Sequence, residues 1–112
     1  MKVPQEFITM READLSYNLK EGVCKFNNHN SEIHELAKAK LMIRLMRNGH
    51  KVYSEVIWKN KSRSDLVSAN VGVIHEILAS ETLEQAKRKE KYYPSSLMIN
   101  YWRAEDIVKD NF

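Results

Sequence analysis

The stretch that most constrains the fold is Arg63–Ser80, RSDLVSANVGVIHEILAS. It reads as two short strands joined by a tight turn, with Asp65 on the first and Glu76 on the second. The midpoint between the two acids falls between Asn70 and Val71. A two- or four-residue loop sets Asp65 directly opposite Glu76 on one face of the ladder; a three- or five-residue loop pairs Asp65 with Ile77 instead. Directly opposed residues have Cβ atoms about 4.5–5.5 Å apart, and like charges there are destabilising. At an effective dielectric of ~20, two carboxylates ~5 Å apart repel by roughly 3 kcal/mol. Stability alone does not select such a pair, so a proton or a cation is expected between them.

The surest helix precedes this hairpin, over Ser31–Asn48. Asn30 or Ser31 caps it, Glu32 and Glu35 suit its positive end, and Arg44 and Arg47 suit its negative end. Asn48-Gly49 stops it. Ile33, Leu36, Ala37, Leu41, Leu45 and Met46 recur at helical spacing and are expected to face a sheet. Lys51–Trp58 alternates as a strand, with Val52, Ser54, Val56 and Trp58 on one face. On the Val73–Ala79 strand, Ile74, Glu76 and Leu78 share a face and His75 points the other way. Ser80 or Thr82 caps a polar second helix running to about Tyr92–Tyr93, which Pro94 ends. Ser95–Trp102 reads as a fourth strand and Ala104–Asp110 as a short closing helix. Before all of this, a helix over Met10–Lys20 is expected, with Phe7, Ile8, Leu15 and Leu19 docking it on the core. The order from Ser31 is helix, three strands, helix, strand, helix. That is an α/β (α+β) chain with an antiparallel meander and a crossover that lets the fourth strand join in parallel.

At 112 residues the chain is expected to form one domain: a core over about 31–102, an N-terminal extension over 1–30 and a C-terminal helix over 103–112. No apolar run approaches the ~20 residues of a membrane span, and Met1–Lys20 carries acids throughout, without the apolar stretch of a secretory leader. The single cysteine, Cys24, excludes an internal disulfide and a cysteine-based zinc site. A reducing, cytoplasmic setting without a membrane partner is expected. The net charge of +3 suits a polyanionic partner. The bases flank the hairpin: Lys59, Lys61 and Arg63 lead into it, and Lys87, Arg88, Lys89 and Lys91 follow.

Two acids on a hairpin and one at the start of the preceding helix can make a hard-oxygen site. Magnesium or manganese takes one or two carboxylates there, with water and substrate phosphate completing an octahedron. The remaining candidates are weaker. His34 shares the first helical turn and suits a phosphate or the helix end; His29 and His50 sit in loops; no glycine-rich phosphate loop exists. Tyr92, Tyr93, Tyr101 and Trp102 suit base stacking, a core or a dimer surface.

With an acid in Ser31-Glu32-Ile33-His34-Glu35, then Arg63-Ser64-Asp65, then His75-Glu76-Ile77-Leu78, the α-β-β-β-α-β order resembles the PD-(D/E)XK nuclease-like superfamily. It is most similar to the branch of archaeal Holliday-junction resolvases and CoiA-like competence proteins, over roughly Ser31–Tyr101. The resemblance implies a restriction-endonuclease-like mixed four-stranded sheet flanked by helices, and a Mg²⁺- or Mn²⁺-dependent endonuclease hydrolysing DNA phosphodiesters, including branched DNA. It implies Asp65, Glu76 and the Ile77 carbonyl as metal ligands, with Glu32, or Glu35 as second choice, reaching in from the helix. The family's usual lysine, two residues after the glutamate, is Leu78 here, so Lys87 or Lys38 would replace it. Lys59, Lys61, Arg63, Lys87, Arg88 and Lys91 would hold the DNA backbone, and a homodimer would present two sites to a duplex or junction. Two alternatives stand beside the nuclease. One is a catalytically degenerate nuclease-fold protein that grips nucleic acid without cutting it; the other is a small dimeric α/β interaction protein.

Overall fold

A computed structural model describes residues 2–110. Met1, Asn111 and Phe112, at the ends of the expected extension and closing helix, lie outside the described residues. Helix α1 spans Gln5–Met10, α2 Glu32–Arg47, α3 Leu83–Lys87 and α4 Ala104–Lys109. Strands β1 (Val52–Ile57), β2 (Arg63–Ser68), β3 (Val73–Leu78) and β4 (Met98–Arg103) form one mixed sheet in the order β1-β2-β3-β4. The first three are an antiparallel meander and β4 runs parallel to β3. The fold is therefore mixed α/β in the expected helix–strand–strand–strand–helix–strand order. Among the described residues no helix is long and apolar enough to cross a membrane.

One hydrophobic cluster lies on each face of the sheet. Ala37, Leu41, Met42 and Leu45 of α2 pack with Val52, Leu66, Ile77 and with Ala104 and Ile107 of α4. Val56, Trp58, Val67, Ile74, Tyr93 and Leu97 pack on the opposite face with Ala13.

Helix α2 matches its expected span and cap: Ser31 is the N-cap and its Oγ accepts the His34 N–H at 3.3 Å. Its buried face differs from the apolar stripe in the sequence. His34, Ala37, Lys38, Leu41, Met42 and Leu45 turn inward, whereas Ile33, Leu36 and Met46 are exposed. The helix is rotated so that two polar residues enter the interior, which is tolerated because both find partners there.

Two other expectations are corrected. The N-terminal helix lies at Gln5–Met10 rather than Met10–Lys20, with Pro4 at its N-cap, and Thr9 is held inward by donating to the Ala69 carbonyl at 2.9 Å. Phe7 and Leu15, expected to dock, are exposed. After β3, Thr82 and Gln85 form a capping box, but α3 ends at Lys87 and a separate 3-10 turn covers Glu90–Tyr92. Ala86 alone of α3 is buried, and a polar helix with so little packing does not extend on propensity.

The segment between α1 and α2 covers the outer edge of β1. Asp14 and Gly22 donate their N–H groups to the Ile57 and Val52 carbonyls, each at 2.8 Å, and the Lys25 N–H bonds Ser54 Oγ at 2.7 Å. This carries the following loop, 26–30, to the mouth of the site described next.

Candidate functional site

The β2–β3 ladder pairs Leu66 with His75, Val67 with Ile74 and Ser68 with Val73. Four residues therefore make the turn, and the next position along sets Asp65 opposite Glu76. The acids face each other as the even-loop register requires. No ladder pairing is made at their own position; instead the Ile77 N–H donates to Asp65 Oδ2 at 2.8 Å. A side chain thus takes the place of a strand carbonyl, and the hairpin is left unzipped at its acidic end.

A matching interruption occurs on the other side of β2. Ser54 pairs with Leu66 and Val56 with Ser64, leaving Glu55 facing Asp65 without a pairing. Glu55 has φ of 50°, in the left-handed region that a non-glycine residue rarely adopts. On a regular strand Val52 and Val56 would share a face, yet they pack into the clusters on opposite faces. The strand therefore changes phase at Glu55, and three acids, Glu55, Asp65 and Glu76, come to lie in a row across three strands. Strain of this kind costs on the order of 1–3 kcal/mol and concentrates at functional sites.

Helix α2 supplies the counter-charges. His34 Nε2 lies 3.3 Å from Asp65 Oδ2 and its Nδ1 2.9 Å from Glu35 Oε2. Burial pulls the His34 pKa down, but Asp65 and then Glu35 outweigh it and hold it above its ordinary value. Burial pushes Glu35 up, and the Asn27 N–H, His34 and Lys38 more than offset it, holding Glu35 below the usual value. Lys38 is fully buried, and its ammonium reaches the Lys25 carbonyl at 2.6 Å, Glu35 Oε1 at 2.9 Å and Glu55 Oε2 at 3.3 Å. Three acceptors for three N–H groups leave it saturated.

Glu76 is treated differently. Its Oε1 is cut off from solvent and has no hydrogen-bond partner. Burial raises its pKa well above the ordinary carboxylate value, and the neighbouring Asp65 raises it further against the smaller opposing effects of Tyr93 and Ser64. The Tyr93 hydroxyl, pushed up by burial and by Glu76, donates to the Arg63 carbonyl at 3.2 Å. Above the acids opens a cleft of about 510 Å³, with His29, His34, Arg63, Lys89 and Tyr92 among its walls.

The structure brings Asp65, Glu76 and Ile77 together, and it places Arg63 on the cleft wall. It does not bring Glu32 in. Glu32 is exposed and lines a neighbouring cleft, because the rotation of α2 that buries His34 and Lys38 turns position 32 outward. Lys87 is also exposed and outside the cleft, since α3 is too short and too weakly packed to aim it there. Lys59, Lys61, Arg88 and Lys91 are exposed; Lys61 pairs with Asp14. Leu78 is buried in the core. Lys89, 2.6 Å from Glu81, is the base after the hairpin that reaches the cleft. Sequence reasoning missed Glu55 altogether, and no local signal marks its backbone conformation. His34 and Lys38 were visible as candidates, and their inward direction follows only from packing.

His75 and His50 are structural, whereas His29 is exposed on the cleft wall. On the face opposite Glu76, Trp102 Nε1 donates to His75 Nδ1 at 3.1 Å, which fixes the Nε2–H tautomer toward Ser68 Oγ at 3.0 Å. His50 Nδ1 lies 2.8 Å from the same hydroxyl. Burial, with a smaller contribution from His50, lowers the His75 pKa to about 4.

Searches against protein-family models, curated proteins and solved structures returned no match to this chain.

Proposed function

We propose that the protein is a divalent-metal-dependent nuclease acting on DNA, with Asp65 and Glu76 at the reacting centre. The observation that carries this reading is the pair of opposed acids at the unzipped end of the hairpin, one of them with a buried, partnerless oxygen. Such an arrangement is costly in the free protein and is relieved by a cation. The donors are all hard oxygens, which suits magnesium or manganese. Among the described residues no three His, Cys, Asp or Glu side chains are grouped as a metal site. Two carboxylates, the Ile77 carbonyl, water and substrate phosphate would therefore make up the ligand set, as such ions accept. A bound ion would supply charge stabilisation at the phosphodiester oxygens and a lowered pKa for water.

The chain's own residues do the positioning. The Ile77 N–H and His34 hold one oxygen of Asp65, while Glu35 holds His34 in turn. Arg63 and Lys89 on the cleft walls attract the phosphate backbone, giving salt-sensitive binding with little sequence preference. His34 stands where a charged group can face the substrate, a role that Leu78 cannot fill. A second copy of the chain would present two such sites to a duplex or junction.

A second reading, a protein that grips nucleic acid without cutting it, is favoured by Leu78 at the usual lysine position and by the saturation of Lys38. Incubation of the wild-type protein with plasmid and branched DNA in Mg²⁺ or Mn²⁺ separates the two. Cleavage that is lost in both Asp65→Ala and Glu76→Ala supports the nuclease. Retention of DNA in a mobility-shift assay without products supports the second reading. Cleavage that survives both substitutions removes these residues from the mechanism.

A further inference from the structure

A second cleft of about 610 Å³ adjoins the acidic one and shares Asn27, Asn30, Ser31, Glu55 and Arg63 with it. Its volume is in the ~300–1,000 Å³ range of clefts that take small-molecule ligands. Two aromatic residues on its wall are left uncovered: Phe26 is 68% exposed and Tyr17 43%. A phenylalanine at that exposure forgoes its burial energy, so it is not held there by the core. The backbone that carries it is nonetheless fixed. The Asn27 N–H donates to Glu35, and Asn27 Oδ1 accepts the His29 N–H at 3.0 Å. The Asn28 and Asn30 side chains also line the cleft and make no hydrogen bond among the described residues. Arg63, half exposed, stands on the wall common to both clefts.

We propose that this second cleft receives an unpaired nucleobase from the strand whose phosphate lies in the acidic cleft. The inference rests on the nucleic-acid reading above and adds to it the class of substrate: DNA with an unpaired base at a gap, bulge or branch. Phe26 and Tyr17 supply faces on which any base stacks. Free Asn28 and Asn30 amides supply both donors and acceptors for a base edge, the pairing that asparagine makes with adenine being one case. Arg63 supplies a cation for the phosphate between the two clefts. A base inside a duplex is already paired and stacked, and extracting it must first break both interactions. The cleft therefore discriminates by availability of the base rather than by its identity. Lys61 Nζ lies 5.5 Å from the Tyr17 ring centre and Lys38 Nζ 5.8 Å from that of Phe26, so a cation sits near each aromatic platform.

The test uses the full chain with Glu76→Gln, in low salt with chelator, so that binding is read without cleavage. Fluorescent duplex, the same duplex with a one-nucleotide gap opposite an unpaired base, and single-stranded DNA are titrated with this protein and with the same protein carrying Phe26→Ala. Stacking on one aromatic is worth about 5- to 150-fold in affinity. The expected result is tighter binding of the gapped than of the paired duplex. Phe26→Ala should weaken gapped and single-stranded binding by that factor and leave paired-duplex binding within about twofold. Because Phe26 is mostly exposed, its truncation should leave the melting temperature unchanged, which circular dichroism checks. Phe26→Trp should restore binding, its fluorescence quenched by the gapped DNA. Equal affinity for gapped and paired DNA, or an equal loss on both, overturns the base site while the nuclease reading stands. Competition by a free nucleoside as effective as by gapped DNA also overturns it. No retention of any DNA overturns both.

Discussion

Glu76→Gln removes one of the two opposed carboxylates and keeps the shape of the side chain. In the wild-type fold, Glu76 is raised well above its ordinary value of 4.5 by burial and then by Asp65. The unfolded chain therefore releases this proton at lower pH than the folded chain does. Stability associated with the protonated form is complete below 4.5 and is lost as pH rises through the higher folded-state value. Glutamine has no proton to lose, so the variant and wild type should be alike near pH 4 and diverge toward pH 8. For carboxylates ~5 Å apart at an effective dielectric of ~20, the repulsion removed is about 3 kcal/mol. With a urea m-value of about 1–3 kcal/mol per molar for a small domain, the midpoint should rise by about 1 M or more. Urea unfolding of both proteins in chelator at pH 4 and pH 8 measures the difference. A variant no more stable than wild type at pH 8, or equally stabilised at both pH values, refutes the electrostatic reasoning. Repeating the pH 8 series with Mn²⁺ adds a second readout: an ion at about 100 times its Kd should stabilise wild type by about 2.7 kcal/mol and the variant far less.

Other outcomes follow from the same geometry. His75 is buried neutral with a pKa of about 4 against 6.5 unfolded, so its contribution is full above 6.5 and is lost as pH falls through that value toward 4. The difference corresponds to about 3 kcal/mol, and an NMR titration giving His75 a midpoint above 6 would count against the Trp102–His75–Ser68 arrangement. Lys38→Met leaves the part-buried Glu35 and Glu55 without their shared cation and should cost about 3–5 kcal/mol in chemical denaturation; a loss under ~1 kcal/mol would show that the network is not acting as a buried ion cluster. Gly72 has φ of 69° and a Cβ there would meet Gln5 Nε2 at 2.6 Å, whereas at Gly49, φ 86°, nothing lies within 4 Å. Gly49→Ala should therefore cost about 1 kcal/mol of backbone strain, and Gly72→Ala more, because Gln5 must also give up its bond to Thr9; thermal melts of the two variants rank them.

Periodicity and turn chemistry carried a good part of the fold. The span of α2, its Ser31 cap, the three-strand meander and the parallel fourth strand are written in local patterns of caps, alternation and breakers, each of which acts within a few residues. The opposition of Asp65 and Glu76 was legible only conditionally. It needed an even turn, and a turn of four residues is set jointly by the left-handed Gly72 at its end, φ 69°, and by how β2 and β3 bury Leu66, Val67 and Ile74 on their two faces.

Tertiary structure decided the rest. An apolar stripe on α2 predicts which side packs, but His34 and Lys38 displaced Ile33 and Leu36 from the interior because carboxylates from β1 and β2, distant in sequence, wait there to satisfy them. The same rotation sent Glu32 outward. The left-handed backbone at Glu55, the phase change of β1 and the row of three acids depend on contacts with both sheet faces at once. Local sequence encodes the preferences of one segment, and the cost of a strained residue or a buried charge is met only by groups that folding brings from elsewhere.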